Sequence, residues 1–359
     1  MTGVSAQTSC LILGNGIIGA EKQALALANR LHLPYTLRRV LPRKPLAALP
    51  TDLLLRMPRG IVLDSGDQRC LPRDGSYPDV VISCGRASIP ASVAMRQDTA
   101  GSALMVHVQR PTCSERWFDL VIAPRHDYTG SDPPPSNVLL TRGSLHDVDA
   151  TTLASAHAAW APTFASMPTP RLALLIGGRM SRRWWHAPLA PVLTVGSATR
   201  LVRSAAETVA ASGGSLLVTT SRRTPAEVAA AIDSQLDAAV AAGVPCQRWW
   251  ADAAPNPYLG LLAWATHLLV TADSVNMVTE ACGTGKPVYV FEPHQCRGRF
   301  ASFHKELLEA YRTRAWRGHG ILEPSHLWNG VVGIGDAQYA AKCVHELLSA
   351  RQNMATPKQ

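Results

Sequence analysis

The sequence predicts an α/β protein of two Rossmann-like domains facing a central cleft. Three observations carry this. Short apolar runs alternate with helical patterns, the signature of parallel sheets with right-handed crossovers. The alternation breaks between Ser131 and Pro170 and then restarts. The chain has 359 residues, enough for two domains that each bury a full core. The expected boundaries are an N-terminal domain over 1–150, a linker and connecting helix over 151–170, a C-terminal domain over 171–345 and a flexible tail over 346–359.

Cys10 to Leu13 reads as a buried strand, followed by three closely spaced glycines. A helix then carries Ala20, Ala24, Leu27, Ala28 and Leu31 on one face, spaced by three and four residues. Tyr35–Leu41, Asp79–Ser83, Leu104–Gln109 and Leu120–Ala123 continue the strand series, and short helices are expected around Leu53–Met57. In the second half the strands are Leu172–Ile176, Leu216–Thr220, His267–Thr271 and Val288–Phe291. Thr224-Pro225-Ala226-Glu227 reads as a capping box with proline at the first helical position.

Composition excludes several classes. Hydrophobic residues are 47% and charged residues 17%, too apolar for global disorder. No apolar run approaches the roughly 18 residues of a spanning helix; Leu261–Ala272 is interrupted by Thr266 and His267. The net charge of +9 favours anionic partners such as phosphates or acidic lipid. Eight cysteines without a CxxC pair argue for a reducing compartment and against a disulfide scaffold or zinc site. Nine residues without an apolar signal core precede the first strand, so a protein exposed to cytosol is expected. No nucleic-acid module is present, and neither a metal nor a cofactor is expected.

Three constellations can carry chemistry. Gly14-Asn15-Gly16-Ile17-Ile18-Gly19 is a GxGxxG between strand and helix, with Gln23 one turn further on. Such a loop aims backbone N–H groups at an anion. Leu37-Arg38-Arg39-Val40 stands where a dinucleotide site needs an acid, so the loop reads as acceptor-facing or structural. Second, Thr271-Ala-Asp-Ser-Val-Asn-Met-Val-Thr-Glu280 starts a helix at a strand end. Asp273 or Ser274 would cap it, and Asp273, Asn276 and Glu280 share one face suited to sugar hydroxyls. Third, Gly177-Gly178-Arg179 and Ser221-Arg222-Arg223-Thr224 follow neighbouring strands and would hold a diphosphate at the same sheet edge. The Asp147-Val148-Asp149 triplet sits in the linker without further ligands and reads as structural. His126, beside Asp127, and His146 have acid–base chemistry but loop contexts. Trp184-Trp185 and Trp249-Trp250 read as packing or partner contacts.

With these motifs in hand, the sequence resembles the mitochondrial-fission Elongated Mitochondria family, which has plant and bacterial branches. The resemblance rests on GNGIIGAEKQALALA (14–28), VHVQRP (106–111), FDLVIAPRHD (118–127), TRGSLH (141–146), LLIGG (174–178), TTSRRTP (219–225), NPYLGLLAWA (256–265) and TADSVNMVTEACGTGKPVYVF (271–291). It implies a GT-B-like scaffold with a nucleotide-sugar site on the C-terminal domain and places Gly177, Gly178, Ser221, Arg222, Asp273, Ser274 and Glu280 there; the spacing of the turns and the helix face adds Arg223, Thr224 and Asn276 as candidates for the same site. Many bacterial members carry histidine after the third glycine of the first loop. Here that residue is Ala20, leaving Glu21 and His126 as the catalytic candidates. The GNG loop and His126-Asp127-Tyr128 are closer to the plant branch. That branch implies a fission factor at the cytosolic face of the mitochondrial outer membrane, helping to position a dynamin-related GTPase. The alternative is a metal-independent glycosyltransferase using a nucleotide-sugar donor, with an envelope glycolipid acceptor in a bacterial host.

Overall fold

The fold is that of a computed structural model, which describes residues 8–63, 77–130, 132–178, 190, 193–250, 252–310, 312–318, 322–328 and 335–355. Cys70, Arg179 and the Trp184-Trp185 pair lie outside the described residues. Two compact units are present, residues 1–147 with 335–359, and residues 148–334.

In the first unit β1 (Cys10–Gly14), β2 (Tyr35–Arg39), β3 (Val80–Cys84), β4 (Leu104–Val108), β5 (Leu120–Pro124) and β6 (Val138–Thr141) form a sheet in the order β2-β1-β3-β4-β5-β6. All of its strand pairs are parallel. On one face α1 (Ile18–Leu31) packs Ala24, Leu27 and Leu31 into the core. On the other, α2 (Thr51–Arg56), α3 (Arg59–Val62) and α4 (Ile89–Asp98) cover Leu11, Leu13, Val81 and Met105. The β1, β3, β4 and β5 strands are buried at every position, as expected of strands covered on both faces.

The second unit opens with α5 (Ala150–Ala159) and α6 (Ala161–Phe164). Its strands are β7 (Arg171–Ile176), β8 (Ser215–Thr220), β9 (Cys246–Trp249), β10 (His267–Thr271), β11 (Val288–Phe291) and β12 (Arg314–Ala315). They form a parallel sheet in the order β12-β11-β10-β7-β8-β9. Its helices are α7 (Val195–Ala211), α8 (Ala226–Ala241), α9 (Tyr258–Trp264), α10 (Val275–Gly283) and α11 (Gly298–Glu309). Numbered within the unit, the order is 6-5-4-1-2-3, so the winding reverses between β7 and β10. Ligands of doubly wound sheets bind outside the strands' carboxyl ends at such a reversal. The corresponding point of the first sheet lies between β1 and β3.

The segment expected to linger in the C-terminal domain to 345 and then fray from 346 is instead one helix, α12 (Asp336–Ala355), and belongs to the first unit. Ala337, Ala340, Ala341, Val344 and Leu348 form an apolar stripe that joins the α1 core. Arg142 N–H donates to the Asp336 carboxylate at 2.8 Å, and Arg351 pairs with Asp119 at 2.7 Å. The polar residues after Ala350 disguised a helix held by its buried face. The expected linker, 151–170, is likewise built into the second core, where Phe164 and Met167 are buried. Trp249 meets Phe164 edge-on in that core at 5.2 Å. The His157 ring stacks on Trp264 at 3.9 Å. A Cβ on Gly260 would overlap the Trp160 ring.

Candidate functional site

The second unit gathers its chemistry at the carboxyl ends of β7, β8 and β10. Gly177 and Gly178 follow β7, Ser221–Thr224 follow β8, and Asp273 and Ser274 follow β10. Gly177 N–H donates to Thr271 Oγ1 at 2.8 Å, and Gly178 N–H donates to Asp273 Oδ2 at 2.8 Å. Arg223 Nη2 lies 3.5 Å from the same carboxylate oxygen. Both glycines are required by close approach: a Cβ at Gly177 would overlap the Asp273 carboxylate, and one at Gly178 the Arg223 backbone. Asp273 is buried. Burial raises its carboxyl above the usual range, against the opposing hydrogen bonds from Thr271 and Gly178 and the Arg223 charge.

Several residues take roles other than those the sequence assigns. Thr224 does not cap α8, whose N-cap Pro225 has no side-chain bond. Its hydroxyl donates to Gly177 O at 2.5 Å and accepts from Ser221 N–H at 3.1 Å, stitching the β8 turn to the glycine pair. Proline at the cap freed the threonine for this work. Asp273 leaves the polar face of α10 for the glycine loop, and Ser274 is the cap, accepting from Met277 N–H at 3.4 Å. Asn276 remains half-buried on the helix and Arg222 is exposed. Ser221 Oγ accepts from Arg223 N–H at 3.2 Å.

Glu280 has a partner the motif did not reveal. Tyr258 Oη donates to Glu280 Oε2 at 2.5 Å. The phenol is held well above its ordinary range by burial first and by the Glu280 charge second. Tyr258 opens α9, where its N–H donates to Asn256 Oδ1 at 3.0 Å. At the C-terminal end of that helix Lys286 Nζ donates to Leu262 O and Ala263 O at 2.7 and 2.6 Å. The NPY motif and Lys286 thus fix the group that aims Glu280. Further back, His304 Nε2 donates to Ala272 O at 2.8 Å, bracing the residue before Asp273. Tyr258, Thr271 and His304 were missed because each acts through a neighbour distant in sequence. Tyr258→Phe keeps the ring and removes the donor. It is expected to weaken a ligand that uses Glu280 by about tenfold, read by titration calorimetry.

The first unit's glycine loop is occupied by its own chain. Glu21 Oε1 accepts from Gly16 N–H at 2.7 Å, and Arg39 binds both Glu21 oxygens at 3.0–3.3 Å. The side-chain bond to Arg39 is the largest cause holding the Glu21 carboxyl below its ordinary range; burial opposes it. A carboxylate so held is a poor general base. Asn15 Oδ1 accepts from Ile17 N–H at 2.9 Å, and Gln23 turns back to Gly19 O at 3.1 Å. Gly14 sits tight against Glu21 and Leu37. His126 is buried in a short turn, its Nε2 4.0 Å from Asp127 Oδ1. Glu21→Ala is expected to lower the first unit's stability by about 1–3 kcal/mol, seen as a lower denaturant midpoint with unchanged slope.

The acidic triplet is structural: Asp147 accepts from Asn29 Nδ2 at 2.9 Å and Asp149 caps α5 through Thr152 N–H at 2.7 Å. Among the described residues no group of three acidic, histidine or cysteine side chains is placed to hold a metal. No helix there is long and apolar enough to cross a membrane, and the described cysteines are free thiols.

The sequence pattern of the family described as "Mitochondrial fission ELM1" matches residues 18–348. The Mitochondrial fission protein ELM1 of Arabidopsis thaliana is 34% identical over 298 residues, covering 78% of this chain and 65% of that protein. The match therefore spans just under two thirds of the plant protein's length. An uncharacterised protein of Rickettsia prowazekii is 26% identical over 312 residues, covering 79% of this chain and 82% of its own. Among solved structures, the UDP-GlcNAc 2-epimerase of Methanocaldococcus jannaschii in complex with UDP-GlcNAc and UDP has a TM-score of 0.53 at 13% identity. It covers 95% of this chain and 99% of its own. That likeness shows the fold. On the breadth of the family match and the plant relative, the chain belongs to the mitochondrial fission ELM1 family, on a GT-B-like scaffold.

Proposed function

We propose that this chain is a fission factor that helps position a dynamin-related GTPase at the mitochondrial outer membrane, and that its C-terminal unit binds a nucleotide sugar without turning it over. The observation that carries the reading is the state of Glu21. Its carboxylate closes the first glycine loop through Gly16 N–H and is neutralised by Arg39, and Ala20 stands where many bacterial members carry histidine. The loop is thus a scaffold element. The second unit keeps the turns at the sheet's winding reversal; the Gly177 and Gly178 amides there are taken by Thr271 and Asp273, so the side chains of Ser221, Arg222 and Arg223 are the groups suited to a diphosphate, and Glu280 suits a sugar or ribose hydroxyl. The test is complementation in a plant lacking its own family member. Shortened mitochondria and co-purification of the GTPase are expected; mitochondria that stay long, with the folded protein present, would remove the fission role.

A second reading is favoured by Arg223 at the Gly177–Gly178 turn, since a guanidinium there would stabilise a departing diphosphate without a metal. It is a glycosyltransferase with a glycolipid acceptor. Release of sugar from a nucleotide-sugar donor, dependent on an added acceptor extract, distinguishes it from binding alone.

A further inference from the structure

Past the carboxyl ends of β1 and β2, residues 40–63 hold four lysines and arginines against one acid, Asp52, a net +3 of the chain's +9. This segment and the loop before α1 expose aliphatic side chains that a fold normally covers: Ile17 is 63% exposed, Leu41 49%, Leu53 47% and Ile61 47%. Single exposed aliphatics are ordinary, but a group of them among predominantly basic residues is not.

Backbone contacts draw the stretch together past the carboxyl ends of β1 and β2. Val40 N–H donates to Gly14 O at 2.9 Å, bringing Leu41 beside the loop that carries Ile17. Pro42 bridges Leu63 and Arg43 N–H donates to Val62 O at 2.9 Å, so Ile61 lies beside the Pro42–Lys44 turn. Arg86 ties down the turn between them, reaching Ala47 O at 2.9 Å, Leu49 O, and Thr51 Oγ1 at 3.2 Å. Lys44 and Arg56 are exposed alongside.

We infer that this strip of the first unit is a docking surface for an anionic lipid bilayer. Charge complementarity selects the occupant: the basic side chains match anionic headgroups, while isolated aliphatic tips on short helices and turns suit the boundary between headgroup and acyl chain. A protein strand added to the sheet is disfavoured, because the edge strand β2 ends in two exposed arginines, Arg38 and Arg39, rather than in apolar residues. The surface deepens the outer-membrane reading above and rests on it only for the place of action.

The test is co-sedimentation of the full chain with vesicles of phosphatidylcholine alone and of equal phosphatidylcholine and phosphatidylserine. Wild type is expected to bind the mixed vesicles only, and less as salt rises. In Lys44→Glu/Arg56→Glu each unit of charge removed is expected to lower partitioning roughly fivefold. Leu41→Ser/Leu53→Ser/Ile61→Ser is expected to lose about tenfold or more, even at low salt. Unchanged circular dichroism and melting show that both variants fold. Absence of wild-type binding to the mixed vesicles, or variants that bind as wild type does, would overturn the inference. So would variants that lose capture of a dynamin-related GTPase while wild type ignores vesicles, since the strip would then dock protein. Vesicle binding that survives a failed complementation leaves this surface standing and removes only the fission reading.

Discussion

Replacing Asp273 with alanine is expected to destabilise the second unit by about 3 kcal/mol. The carboxylate is buried and accepts the Gly178 N–H, and Thr271, which itself accepts the Gly177 N–H, supports it. Alanine leaves the Gly178 N–H and the Thr271 hydroxyl without their acceptor, while the Gly177 N–H keeps Thr271 Oγ1, and each buried group stranded in this way costs about 1–3 kcal/mol. For a unit of this size the melting temperature should fall by about 6–12 °C. Asp273→Asn, which keeps an acceptor oxygen, should recover more than half of the loss. Calorimetry of the two variants side by side checks this. Equal losses would show that the charge, rather than the accepted hydrogen bonds, holds the turn.

Acid should weaken the fold well above the range in which surface carboxylates titrate. Burial pushes His267 down to about 4 and His107 to about 3, and lowers His304 as well. An unfolded histidine takes its proton near pH 6.5. Below that pH the unfolded chain binds protons the folded chain refuses, so stability falls as pH drops from about 6.5 towards the folded values. The slope is at most ~1.4 kcal/mol per pH unit for each ring, and His267 alone accounts for about 3 kcal/mol by pH 4. Its ring spans Thr266 Oγ1 at 2.9 Å and Glu323 O at 2.8 Å. Denaturant melts of wild type and His267→Gln between pH 7 and pH 4 should diverge in slope by about one proton. Parallel slopes would mean that the ring titrates as it does in the unfolded chain.

The alternation of buried strands and amphipathic helices made the fold readable, and β1, β7, β10 and β11 lie where the apolar runs predict. Strands β6, β9 and β12 were not legible, because Val138–Thr141, Cys246–Trp249 and Arg314–Ala315 are only partly buried edge or short strands. The helix α12 was hidden for a related reason: its apolar positions are mostly alanines, and the first-unit core they join lies far back in the chain.

The glycine pairs and the Asp273–Glu280 run were legible because turns and caps write local signals. Their partners were not. Nothing near Glu280 points to Tyr258, and nothing near Gly16 states that Glu21 will turn back into the loop while Arg39 closes over it. Thr224 shows the converse, a strong local capping pattern overridden by a carbonyl, Gly177 O, that only the parallel register brings within reach.

The claim that the second unit keeps a nucleotide-sugar site is tested most directly by thermal unfolding against UDP-, GDP-, ADP- and CMP-sugars, for wild type and Glu280→Ala. A ligand at about 100 times its dissociation constant stabilises the native state by roughly 2.7 kcal/mol. One nucleotide family should raise the wild-type melting temperature and leave Glu280→Ala unmoved. An unshifted wild type across the whole panel would contradict the account.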